Sequence, residues 1–171
     1  EPETGQSVHR FEIVHERLMH VFIVSENLRF FAHEHPEPQA DGLFRLPIRL
    51  PYGGMYRMLA DFYPAGARPQ MLVKTLFVQG RSQPAKLVPS LAPAKAANLT
   101  ASLRLEPASP LAGLETRLFF TLEPATGLEP YLGAWGHMLA ASEDLIDFLH
   151  IHPFLSNRGP IVQFNVIFPR P

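Results

Sequence analysis

The sequence predicts an all-β protein made of two antiparallel, sandwich-like units. Three observations carry this expectation. Eighteen prolines punctuate 171 residues, and proline both lacks an N–H and clashes with the preceding helical turn. Thirteen phenylalanines accompany β-branched residues in short runs, which suit a pleated, half-buried surface. No long segment keeps a helical apolar period.

Composition narrows the function classes. Apolar residues make up 46% and charged residues 18%, enough apolar material for a core and too much for a disordered chain. Fifteen Lys+Arg stand against sixteen Asp+Glu, with no basic block, so neither nucleic acid nor an anionic membrane surface is expected as the main partner. No apolar run approaches the ~20 residues of a spanning helix. The absence of cysteine excludes disulfides, thiolate catalysis and cysteine-based zinc or iron–sulfur sites. The chain opens Glu1-Pro2-Glu3-Thr4-Gly5, as expected of a mature secreted chain or of a trimmed piece of a longer one.

Taken in order, residues 1–8 are polar and unpatterned. Strands are predicted at 10–15, 18–24, 29–35, 43–50, 55–62 and 71–78. Turn formers separate them at Pro36-Glu37-Pro38, Asp41-Gly42, Pro51-Tyr52-Gly53-Gly54 and Pro64-Ala65-Gly66. Residues 80–97 carry three prolines and no periodicity, the composition of a semi-rigid spacer. From Asn98 strands resume at 99–106, 115–122, 135–141, 145–152 and 161–168. The expected organisation is a first unit at 1–80, a Pro/Ala-rich linker at 81–97 and a second unit at 98–171.

An internal repeat links the units. Residues 20–36 (HVFIVSENLRFFAHEHP) align without a gap to residues 137–153 (HMLAASEDLIDFLHIHP). His20 meets His137, Ser25-Glu26 meets Ser142-Glu143, and Leu28 meets Leu145. His33-x-His35-Pro36 then meets His150-x-His152-Pro153. With one inserted residue, Gly42–Pro51 continues onto Gly159–Pro169. Six of the eight histidines therefore occupy repeated positions.

Read as hairpins, the repeats gather these histidines. A turn at Ser25-Glu26-Asn27-Leu28 sets Val24 against Arg29, Phe22 against Phe31 and His20 against His33. The second copy likewise sets Ala141 against Ile146 and His137 against His150. Facing residues have Cβ atoms about 4.5–5.5 Å apart. His35 returns to the face of His33 about 6.5–7 Å along the strand. Three imidazoles then converge on one patch, as a metal bound at about 2.0–2.1 Å from each nitrogen requires. The bland alternative is that the histidines finish sheet ends through hydrogen bonds and bind nothing.

Nearby residues are read more narrowly. His15 has the wrong parity to join His20 in a straight strand and would need a bend or bulge; its equivalent is Leu132. Met19 and Met138 also have the wrong parity, which favours a packing role. Asp61, a lone acid in an apolar strand, suits either an acceptor orienting a histidine N–H or a solvent-facing position. Tyr131 and Trp135 are expected to pack beside the second cluster, and His9 to be an ordinary surface histidine. Asn98-Leu99-Thr100 fits the glycosylation sequon, a match expected by chance. All-imidazole sets suit zinc, copper, nickel or iron, and the divalent affinity order favours copper. Glu34 points away from His33 and His35, and its equivalent is Ile151, which counts against a two-His-one-carboxylate iron site.

The chain resembles the YtkA-like group of bacterial secreted or membrane-attached proteins, through FEIVHERLMHVFIVSENLRFFAHEHP, GMYRMLADFYPAG and LEPYLGAWGHMLAASEDLIDFLHIHP. The resemblance implies tandem immunoglobulin-like sandwiches, copper or other heavy-metal handling, and a periplasmic or secreted location, membrane-attached in a longer form. It groups His15, His20, His33 and His35 as one candidate site, and His137, His150 and His152 as the other. Compared with a full tandem array, both units are expected to be incomplete: the first copy lacks the strands near 99–106 and 115–122, and the second stops at Pro171. The leading function is a non-enzymatic metal-binding protein, a copper chaperone, buffer or sensor, with zinc the alternative ion. A metal-transport protein is an expected partner, and a dimer would complete open sheet edges. The rivals are a zinc hydrolase or hydratase using a three-histidine open site, and a metal-free adhesion or scaffold module.

Overall fold

The structure is a computed structural model that describes residues 4–5, 7–83, 86–154 and 159–171. No helix occurs among these residues, and none is long and apolar enough to cross a membrane. The all-β expectation holds: every strand pair is antiparallel. The chain forms two compact units, divided between Leu87 and Val88.

The first unit contains β1 (Met19–Ser25), β2 (Phe31–Glu34), β3 (Gly54–Phe62) and β4 (Gln70–Val78), in the sheet order β2-β1-β3-β4. β1 is its spine, pairing with β2 on one side and with β3 through seven residue pairs on the other. Val21, Ile23 and Tyr56 are buried, and Leu46, Ile48 and Leu50 pack against them. These three alternate as a strand would, yet 43–50 is not the strand the sequence predicts. It makes only the isolated bridge Pro38↔Phe44. Pro47 supplies no ladder donor, so the segment covers the sheet by packing alone. The predicted strand 10–15 is also absent. It is replaced by the bridge Phe11↔Pro64 and a tight turn at Val14–Arg17.

The second unit contains β5 (Ala94–Ala96), β6 (Leu99–Glu106), β7 (Glu115–Glu123) and β10 (Ile161–Ile167) in the order β10-β7-β6-β5. A separate two-stranded sheet pairs β8 (Met138–Ala141) with β9 (Phe148–Ile151). Leu118, Val162, Phe164 and Val166 form the buried centre, with Met138, Leu149 and Ile151 of the small sheet packed against it. β5 falls inside the predicted linker. Ala-Lys-Ala has no strand preference of its own, and its backbone pairing with Leu99–Ala101 holds it. Met19 and Met138 both pack into cores, as their parity implies.

Candidate metal centres

Each histidine set is built on a hairpin whose tip is closed by side chains. In the first, Phe30 N–H donates to Ser25 Oγ at 2.9 Å, and Arg29 N–H donates to Asn27 Oδ1 at 3.0 Å. Ser25 Oγ–H donates to Asn27 Oδ1 at 2.7 Å, and Leu28 turns left-handed at φ 55°. The second tip repeats this design. Asp147 N–H donates to Ser142 Oγ at 2.9 Å, and Ser142 Oγ–H donates to Asp144 Oδ1 at 2.6 Å. Leu145 there has φ 53°.

These tips correct the predicted register. The loop has four residues between Ser25 and Phe30, so Val24 pairs with Phe31 and Phe22 with His33. Extended by one step, the register sets His20 opposite His35 rather than His33. The second copy shifts alike, with Ala141 against Phe148 and Leu139 against His150. The shift is two residues, which preserves the face, so the same three histidines still converge. A leucine in the left-handed region gives no sequence signal comparable to glycine, which is why the shorter turn was the natural expectation.

In the first set, His20 Nδ1 lies 3.1 Å from His33 Nε2 and 3.1 Å from His35 Nε2, and the last two are 3.2 Å apart. The three nitrogens form a nearly equilateral triangle. Its centre is about 1.8 Å from each, so an ion at the usual 2.0–2.1 Å sits about 1 Å above the plane. His20 is 3% exposed, and the His33 ring stacks on buried Phe22 at 4.3 Å.

The other side of each leading histidine is anchored by a backbone carbonyl. His20 Nε2 lies 3.0 Å from Val14 O. A carbonyl can only accept, so Nε2 must donate its proton, and neutral His20 is left with an unprotonated Nδ1 aimed at its two neighbours. His137 Nε2 makes the same bond to Tyr131 O at 2.8 Å, with Nδ1 3.0 Å from His152 Nε2. Such an outer bond fixes the tautomer that a metal ligand needs. His137, His150 and His152 each offer one nitrogen, all within 4.8 Å of one another. Burial is the largest influence on His137 and pushes its pKa below the ordinary 6.5; the His150 charge acts the same way, against the opposing pull of the Tyr131 carbonyl. Each triad can hold a metal ion.

The anchoring carbonyls were not foreseen in the sequence. Both lie six residues ahead of their histidine, at the start of a two-residue turn: Val14–Arg17 and Tyr131–Ala134. Both inner residues of each turn have positive φ: His15 at 47° and Glu16 at 64°, Leu132 at 49° and Gly133 at 72°. The aligned residues of the two turns, Val14–Arg17 and Tyr131–Ala134, share no identity, so the alignment does not mark them. His15 therefore sits at a turn tip rather than in a strand, its ring edge-on to that of His20 at 6.3 Å. Its backbone helps present Val14 O. Asp61 is the register partner of His20 on β3 and so lies on the histidine face. Tyr131 packs edge-on to His137 at 5.8 Å.

A family model described as a domain of unknown function (DUF8832) matches residues 2–76 and 94–171. The chain belongs to this family. No curated protein and no solved structure matches it. Both histidine hairpins and both anchoring turns lie inside the matched residues, so the family's extent covers both triads and their supports.

Proposed function

We propose that this chain is a non-enzymatic, extracytoplasmic metal-binding protein that takes up, buffers or hands on copper, with zinc the alternative ion. One observation carries the reading: three imidazole nitrogens of His20, His33 and His35 converge at 3.1–3.2 Å. With the His20 proton held on Val14 O, neutral His33 and His35 cannot place one N–H on every edge: both on Nε2 face each other across 3.2 Å, and fewer leave an edge bare. A metal ion satisfies all three at once. The carbonyl anchors on His20 and His137 add a second support, since they favour ligation through Nδ1 in both copies. Carrier chemistry suits neutral ligands on a hairpin, because histidines release an ion as they protonate. The resemblance to YtkA-like proteins supports copper and a location outside the cytoplasm.

The test is native mass spectrometry of the full chain titrated with copper and with zinc. Retained ion in the native chain, reduced in His33→Ala and in His35→Ala, is the expected result. Equal metal content in the native chain and both variants would contradict the reading.

A further inference from the structure

We infer that the first triad is a facial seat that selects ions taking three imidazoles on one side, Zn2+ or Cu+, over tetragonal Cu2+. This rests on the metal-binding reading and adds the coordination class of the ion. The argument lies in the triangle. With bonds of about 2.0–2.1 Å, three ligands in a square plane leave two edges of about 2.8–3.0 Å and one trans edge of about 4.0–4.2 Å. A tetrahedral ion asks for three equal edges of about 3.3–3.4 Å. The observed edges are 3.1, 3.1 and 3.2 Å. Tetrahedral seating therefore needs an expansion of about 0.2 Å, whereas planar seating needs one edge to open by about 1 Å.

The rings have little freedom to make the larger movement. His20 is buried within a strand paired on both sides, and its far nitrogen is held on Val14 O at 3.0 Å. His33 is on β2 and stacks on Phe22, with the ring planes 22° apart. His35 is followed directly by Pro36, a buried residue with a fixed φ. Cu2+ and Ni2+ gain most from tetragonal fields, and this triad cannot offer all three nitrogens to one equatorial plane. Zn2+ has no such demand. Three imidazoles leave a four-coordinate ion one further position for a ligand.

The experiment uses Co2+ as an optical probe in the full chain carrying His152→Ala, which breaks the second triad and spares the first. The expected result is the intense visible absorption of four-coordinate Co2+, displaced by an equivalent of Zn2+ and lost on adding His35→Ala. Cu2+ added to the same protein should not give a tetragonal electron paramagnetic resonance spectrum with three equatorial nitrogens. A weak, six-coordinate Co2+ spectrum, or such a Cu2+ spectrum, would overturn the inference while leaving metal binding intact. If Co2+, Zn2+, Cu2+ and Cu+ all fail to bind, the inference and the metal-binding reading fall together.

Discussion

The two histidine hairpins share a ligand pattern and a tip design, but they are supported differently. In the first, Asn27 is 2% exposed; its Nδ2 donates to Gln83 O at 2.6 Å, and Tyr52 Oη donates to its Oδ1 at 2.8 Å. Gly53 makes this possible, since a Cβ there would lie 2.4 Å from the Gly80 backbone, on the segment leading to Gln83. In the second, the equivalent Asp144 is held by the Arg170 guanidinium at 3.0 Å, with both side chains nearly half exposed. The first hairpin is also zipped to β3, whereas β8 and β9 form a two-stranded sheet. A lone hairpin is marginal in water, so the second depends on Met138, Leu149 and Ile151 packing on the unit's core. One ligand pattern thus rests on a buried neutral network in one place and on a surface ion pair in the other. The first should lose less ordering entropy when it takes an ion.

The largest expected effect follows from that difference. His33→Ala should remove the tighter metal-binding event in calorimetry, a loss at or beyond the about 10–100-fold typical of disturbing a ligand's partner. His150→Ala should spare it, and His15→Ala should weaken it without abolishing it. Loss of the tight event in His150→Ala alone would reverse the ranking. The next effect is pH. Imidazole ligates only when neutral, so affinity should drop steeply as pH falls from about 7 to about 5. His137 has a lowered pKa in the fold, so the unfolded chain binds more protons there below about pH 6.5. Its contribution to stability is undiminished above that pH and declines beneath it. Melting temperatures of the metal-free chain should therefore fall on acidification, and less so in His137→Gln.

Smaller effects separate the two tips. Asn27→Ala leaves buried partners unsatisfied and should cost about 1–3 kcal/mol in denaturant unfolding. Asp144→Ala breaks an exposed pair and should cost little, and less still at high salt. Equal losses would show that the two tips are supported alike. The smallest effect concerns the anchoring turns. Glu16 holds φ 64° without being glycine, so Glu16→Gly should stabilise by about 0.5–1 kcal/mol, while Gly133→Ala should destabilise by a similar amount. Melting curves of the metal-free variants check both signs.

Much of this was legible in the sequence, for physical reasons. Strands such as 55–62, 71–78, 99–106 and 115–122 carry enough apolar and β-branched residues to announce themselves, and the repeated His-x-His-Pro marked both triads. What was hidden depended on backbone conformation without a compositional mark. Leu28, Leu145, His15 and Glu16 adopt positive φ, so the longer hairpin loops and the anchoring turns escaped notice. Residues 43–50 alternate like a strand, but Pro47 denies them a full ladder. Val14 and Tyr131 act through carbonyl oxygens, which every residue possesses and no side chain signals.

The most direct test of the metal-triad account is long-range proton–nitrogen correlation NMR on the imidazole rings, without and with Zn2+. The account predicts that His20 and His137 keep the proton on Nε2 and bind zinc through Nδ1. His33, His35 and His152 should bind through Nε2. Imidazole nitrogen shifts unmoved by Zn2+, or zinc attached through Nε2 of His20, would contradict it.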